Sequence, residues 1–106
     1  MGWLAARKVV GRWVETGTIH DVRKGPTLQS RTSRHASYVQ VSCRFVPDSQ
    51  PDTSFHIKRL VLTGPLAKAG ELLSSLRSGD KVEVEMIRRR NGKVSANSIV
   101  QNLSLD

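Results

Sequence analysis

Two clusters of cationic side chains carry the chemistry that this sequence suggests first. The segments from Arg23 to His35 and from Arg88 to Lys93 each contain four lysines or arginines and no acid. The eight cations are Arg23, Lys24, Arg31, Arg34, Arg88, Arg89, Arg90 and Lys93. The other nine cations are balanced by nine acids, so these two segments account for the formal net charge of +8. An isolated run such as 88–90 is usually a solvated turn, but paired clusters favour a surface that docks a polyanion.

The five aromatic residues are few for 106 residues, so each one is informative. They are Trp3, Trp13, Tyr38, Phe45 and Phe55. We expect Tyr38 and Phe55 to stack on bases, with Arg44, Lys58 and Arg59 between them as further cations, because every base offers a ring face. The alternative is that Tyr38 and Phe55 fill the core or a subunit interface. Phe45 is assigned to the core, and the places of Trp3 and Trp13 stay open.

No combination of residues predicts an enzyme or a cofactor. His20, His35 and His56 lie in three separate segments without ligand-like spacing, so no metal site is expected. Cys43, the single cysteine, lies in an apolar strand pattern, where a thiol stays protonated and inert. Glu83 and Glu85 alternate along a strand beside cations, which is typical of a surface ion-pair ladder. We therefore predict a binding protein without catalytic residues.

Periodicity predicts five strands and one helix. The first strand covers Val9 to Val22 and ends at the Gly25-Pro26 turn, and a polar loop follows to His35. Alternating apolar residues predict strands at 38–45, 54–62, 81–88 and 94–105, with Asn91-Gly92 as a hairpin turn. Leucine and alanine spacing predicts an amphipathic helix from Pro65 to Arg77, which Gly79 stops. This order is that of an all-β, five-stranded OB-fold barrel with a helix between strands three and four.

The OB barrel supplies a position for the candidate side chains. Its oligonucleotide groove lies over strands two and three, between the loops that join strands one to two and four to five. Both cationic clusters fall at these two loops. The third strand breaks alternation at Lys58-Arg59, where a bulge would return Leu60 and Leu62 to the core.

The second half of the chain resembles the single-stranded-DNA-binding-protein-like OB superfamily. The resemblance is carried by Thr53-Ser54-Phe55-His56, by Gly64-Pro65-Leu66-Ala67, and by the run from Leu76 to Glu85. The stretch from Glu15 to Val22 resembles the first strand of the same superfamily, which includes bacterial single-stranded-DNA-binding protein, primosomal replication protein B and kinetoplastid RNA-editing OB proteins. The resemblance implies a base-stacking role for Phe55. Met86 departs from the usual glycine, and two residues are inserted around Lys58-Arg59, which favours a specialised relative.

The expected function is non-catalytic binding of single-stranded DNA or RNA within a replication or restart complex. The alternative is an OB subunit that binds proteins inside a larger assembly such as an RNA-editing complex. Expected partners are single-stranded nucleic acid, a second copy of the chain in a homodimer or higher oligomer, and replication or RNA-processing proteins, without a membrane. Residues 1–8 are predicted as an N-terminal arm and 9–106 as the barrel. The resemblance implies a bacterial cytoplasmic location or, for a kinetoplastid relative, the mitochondrial matrix.

Overall fold

The described residues form a single antiparallel sheet of five strands that curls into a half-barrel. A computed structural model describes residues 8–29, 37–63 and 75–104. The strands are β1 (Val9–Gln29), β2 (Ser37–Pro47), β3 (Phe55–Thr63), β4 (Lys81–Arg89) and β5 (Val94–Asn102). Their order across the sheet is β3-β2-β1-β4-β5. The prediction of an all-β fold with five strands and a β4–β5 hairpin is confirmed.

The long strand β1 joins the two halves of the sheet. Its first half, from Val9 to Thr18, pairs with β4, and its second half, from Gly17 to Gln29, pairs with β2. At the overlap, Gly17 has Pro47 on one side and Val82 on the other. The sheet curls far enough that a guanidinium nitrogen of Arg59 on β3 donates a hydrogen bond to the Asn97 carbonyl of β5.

The core lies on the concave side of the curl. Residues that alternate along each strand meet there, because successive side chains of a strand point to opposite faces. The fully buried set includes Ile19, Cys43, Phe45, Ile57, Val82, Val84 and Met86. Leu76, which precedes β4, adds its side chain to this cluster. The one buried polar side chain among the described residues, Asn102, donates to Asp80 and accepts from the Ser104 amide, so its burial is compensated.

Strand β1 does not end at Gly25-Pro26, as the sequence predicted, but continues to Gln29. It carries one extra residue relative to β2 between His20 and Arg23, and another between Lys24 and Thr27. Pro26 lies in the second bulge, where the ladder does not require an amide donor. Asp21 lies in the first bulge with a φ of 54°, a conformation that aspartate tolerates better than most residues.

The bulge predicted at Lys58-Arg59 is wrong. Strand β3 pairs with β2 in unbroken register from Phe55 opposite Phe45 to Thr63 opposite Ser37. Leu60 and Leu62 therefore share the convex side of the sheet with Gln40 and Tyr38, and the Leu60 side chain is 60% exposed. The bulges that curve the sheet lie in β1 and β5, so β3 needs none.

The predicted helix from Pro65 to Arg77 falls mainly on residues 64–74, which lie outside the described part of the chain. Residues 75–77, which are described, are not α-helical, and Gly79 follows with a φ of 98°. Within the described ranges, no helix has the length and apolar character needed to cross a membrane.

Replacing Gly17 by alanine tests the double pairing of β1. A Cβ at this position would lie 2.2 Å from the Val46 carbonyl oxygen and 2.7 Å from the Phe45 ring, both closer than atoms pack. We expect Gly17→Ala to lower the free energy of unfolding by about 3 kcal/mol, because the backbone of β2 must move. Urea titration followed by circular dichroism measures this change.

The matched control is Gly11→Ala in the same strand. Its added methyl group would meet nothing closer than the Arg88 Cβ at 3.7 Å, and we expect a change of at most about 1 kcal/mol. Equal effects of the two substitutions would contradict the steric explanation.

Candidate nucleic-acid interface

The convex side of β1, β2 and β3, called here the outer face, brings together four of the predicted site residues, which are Arg23, Tyr38, Arg44 and Lys58. Residues directly opposite each other in neighbouring strands share a face. The pairing register defines four rows across the three strands, which are Leu28-Tyr38-Leu62, Gln40-Leu60, Arg23-Ser42-Lys58 and His20-Arg44-His56. The outer face therefore has an apolar and aromatic end near the β1–β2 connection and a cationic end near Arg44.

The cations of the outer face differ in how they are paired. The Arg44 Nε atom lies 3.0 Å from an Asp21 carboxylate oxygen, and both side chains are exposed. Within the described part of the chain, the side chains of Arg23 and Lys58 have no ion pair and are exposed to solvent. An exposed pair such as Arg44-Asp21 contributes little to stability, so its main effect here is to reduce the positive charge beside Arg44. Arg23 and Lys58 are the more available cations.

Phe55 does not join Tyr38 on the outer face. It lies opposite the buried Phe45 and packs, half-buried, against the core cluster. The predicted stacking floor of Tyr38 and Phe55 is therefore not assembled on one surface. The reason is the alternation of side chains along a strand: Phe45 is seven positions after Tyr38, an odd step, so the two side chains point to opposite faces. Phe55, as the partner of Phe45, lies on the side of Phe45.

Arg59 lies at the free edge of β3 and not within the outer face. Its register partner is the buried Val41, and its guanidinium donates to the Lys58 carbonyl at 2.9 Å and to the Asn97 carbonyl. Arg59 thus closes the gap between β3 and β5 by satisfying carbonyl groups of two edge strands. Its cationic group is already engaged by the fold.

A shallow recess of about 360 Å³ lies in the outer face. Its walls are Leu28, Gln40, Lys58, Arg59 and Leu60. The sequence prediction missed Leu28 because it ended the first strand at Gly25-Pro26, and it missed Leu60 because the predicted bulge turned that residue inward. A strict period-two reading of β3 would have placed Leu60 beside Gln40.

The second cationic cluster belongs to the β4–β5 hairpin. Arg88 and Arg89 are part of β4 and not of the connecting loop, and the Arg88 guanidinium lies 5.5 Å from the centre of the Trp13 ring. Trp13 packs against the core and donates to Glu15, so it serves the fold. Arg90 extends the β1–β4 ladder through its amide to the Lys8 carbonyl. Arg89 and Lys93 line a polar groove of about 500 Å³ with Asn91 and Ser95.

The first cationic cluster is only partly described. Arg23 and Lys24 lie in β1, paired with Ser42 and Val41, and not in the β1–β2 loop as predicted. Arg31 and Arg34, together with Trp3 and His35, lie outside the described residues. The convergence of the two loops across one groove stays a prediction.

In the described ranges, no group of three or more histidine, cysteine or acidic side chains is placed to hold a metal ion. Cys43 is a free, buried thiol whose pKa is raised by desolvation. Glu85 accepts from Arg12 at 3.0 Å and from Asn97 at 2.8 Å, but Glu83 makes no ion pair in the described part of the chain, so the ladder predicted for β4 is reduced to one ion pair.

Comparisons of the chain with protein-family models, curated proteins and solved structures found no match. The geometry of the outer face and of the hairpin is therefore the basis for assigning a function.

The Cys43 thiol provides a test of core burial. Because burial raises its pKa, the folded protein holds the thiol proton more tightly than the unfolded chain does. The contribution of the protonated thiol to the free energy of unfolding is complete below the ordinary thiol pKa of about 8.5. It is lost as the pH rises toward the pKa of the thiol in the folded state. Urea unfolding at increasing pH is expected to show a steeper loss of stability for the wild type than for Cys43→Ala. Parallel curves for the two proteins would contradict the buried thiol.

Proposed function

We propose that this chain binds single-stranded nucleic acid on its outer face, without catalysis. The observation that carries the proposal is the pairing register, which supports a single exposed surface with Tyr38 at one end and Arg23, Lys58 and Arg44 toward the other. Aromatic stacking and phosphate contacts are the two interactions that such proteins combine. Neither requires a particular base sequence.

The phosphate contacts come from side chains of three different strands. Arg23 on β1, Arg44 on β2 and Lys58 on β3 lie within two neighbouring rows, about 7 Å apart along the strands. Cations that are held on a sheet lose less conformational freedom on binding than cations on a mobile loop. The hairpin groove lined by Arg89 and Lys93 offers a second place for phosphates.

The base contacts come from the apolar end. Tyr38 is partly exposed between Leu28 and Leu62, and Leu28 is 47% exposed. A base stacked on Tyr38 buries ring surface against these aliphatic neighbours as well. From the resemblance of the sequence we further propose that the chain is an OB-type barrel with a helix between β3 and β4 and that it acts within a replication or restart complex.

A protein-binding OB subunit, as in an RNA-editing assembly, is the second candidate. The observation in its favour is the exposure of Leu28 and Leu60 on one surface, since contiguous exposed apolar groups often mark protein interfaces. Light scattering with and without oligonucleotide separates the two candidates. A monomer that binds oligonucleotide supports the first, and an obligate oligomer that ignores oligonucleotide supports the second.

Removal of two outer-face cations is the direct test of phosphate binding. For Arg23→Ala/Lys58→Ala we expect the affinity for oligo-dT to fall roughly 20-fold at about 0.1 M salt. The reason is that each phosphate contact with a single strand releases about 0.7 counterion, and the slope of log affinity against log salt should drop by about 1.4. Fluorescence anisotropy at several salt concentrations measures both quantities.

The matched control is Arg12→Ala/Lys81→Ala, which removes the same charge from side chains paired with Glu85 and Asp48. Its salt slope should stay near that of the wild type. If both double variants lose affinity equally, net charge and not the outer face determines binding.

Substitution of Tyr38 tests stacking separately from charge. Tyr38→Ala is expected to weaken oligo-dT binding by about 1–3 kcal/mol, whereas Tyr38→Phe retains the ring and most of the affinity. The salt slope should be unchanged in both variants. Thermal melting confirms that each variant is folded, and an affinity of folded Tyr38→Ala equal to that of the wild type would remove Tyr38 from the binding surface.

A further inference from the structure

The recess in the outer face contains one uncharged polar side chain, Gln40. It lies opposite Leu60 in the register, and Leu28 forms the neighbouring wall. The recess has a volume of about 360 Å³ and is open to solvent on its outer side. Its apolar walls suit the faces of a planar ring, and its polar group is placed to meet a ring edge.

The Gln40 amide is available to a ligand. Among the described residues, its side chain has no hydrogen-bond partner, and it is partly exposed. Gly25 in the second β1 bulge lies beside it, and a Cβ at position 25 would lie 3.5 Å from the Gln40 Cβ. Because glycine has no side chain, Gln40 remains uncovered on the β1 side.

The other polar groups of the recess are hydrogen-bond donors. Lys58 is the diagonal neighbour of Gln40 across the β2–β3 pair, within reach for a long side chain. An ammonium group donates only, whereas an amide both donates and accepts. Arg59 adds a second cation whose guanidinium is held by the Lys58 and Asn97 carbonyls. The recess as a whole therefore offers more donors than acceptors.

We propose that the recess formed by Leu28, Gln40, Lys58 and Leu60 seats one base of the bound strand and selects keto bases over amino bases. This inference rests on the proposed function. Thymine and uracil carry an O4 acceptor where cytosine carries an N4 amino donor. The Gln40 carbonyl accepts from the ring N–H of a keto pyrimidine, and the Gln40 amide nitrogen donates to its O4, while Lys58 contacts phosphate. In the same orientation of the amide, cytosine places its N4 amino group against the Gln40 donor.

Oligo-dT and oligo-dC of about 15 nucleotides form a suitable pair of probes, because their bases are nearly equal in size and differ in this donor and acceptor pattern. We expect the wild type to bind oligo-dT about tenfold more tightly than oligo-dC, as one good base-edge contact provides. The nearly isosteric variant Gln40→Met should reduce this ratio to about one while leaving the affinity for oligo-dC within about twofold.

Two further variants distinguish base reading from loss of structure. Gln40→Glu replaces the amide donor with a second acceptor, which suits the cytosine amino group, so the dT/dC ratio should fall below that of Gln40→Met. Gly25→Val should lower the ratio without changing Gln40, because its side chain covers the amide. Ser98→Ala, at an exposed position of β5, is the control and should retain the wild-type ratio and salt slope.

The results separate this inference from the function on which it rests. Absence of binding to either oligonucleotide at low salt would remove the proposed function and the recess together. Binding with the same dT/dC ratio in the wild type and in folded Gln40→Met would overturn the recess alone. A ratio that depends on Gln40 and on the side chain at position 25, but not on Ser98, would establish it.

Discussion

The double pairing of β1 at Gly17 is the constraint on which the structure depends. One strand serves both halves of the sheet only where its backbone approaches β2 and β4 together, and the Val46 carbonyl oxygen would lie 2.2 Å from any Cβ there. Glycine removes that conflict. Because β1 belongs to both halves of the sheet, its bend brings β3 close to β5. The curled sheet thereby encloses a core, which strands of nine residues such as β3 and β5 would be too short to bury in a flat sheet.

The curvature is distributed unequally among the strands, and this decides which side chains face outward. The extra residues lie in β1 and β5, whereas β2 and β3 pair in unbroken register. In a regular two-stranded ribbon, side chains alternate strictly between the two faces. Apolar residues that fall on the outward positions therefore point to solvent. Leu60 is exposed for this reason, and Phe55 is drawn inward beside Phe45. The outer face is thus partly apolar as a consequence of how the barrel bends.

The positive charge of the chain is divided between internal contacts and open surface. Arg12, Arg44 and Lys81 each face a carboxylate within 3.0 Å, and Arg88 covers the Trp13 ring. Such exposed contacts add little stability, but they reduce local charge on the surfaces where they occur. Arg23 and Lys58, which make no ion pair in the described part of the chain, lie in one row of the outer face. Two cations without a carboxylate partner therefore lie on the side that also carries Tyr38, whereas Lys93 lies in the hairpin groove.

Local pattern in the sequence was enough for the number of strands and their order along the chain, for the Asn91-Gly92 turn, and for the burial of Cys43 and Phe45, because alternation and turn chemistry act over a few residues. It was not enough for strand pairing. Whether a break in alternation becomes a bulge depends on the neighbouring strand, so Lys58-Arg59 was misread and β1 was ended too early at Gly25-Pro26. Composition identified the cations, but only the register between strands decided that Arg23 and Lys58 share a row, that Gln40 lies beside Leu60, and that Phe55 belongs to the core side. Those are long-range relations, and no local pattern contains them.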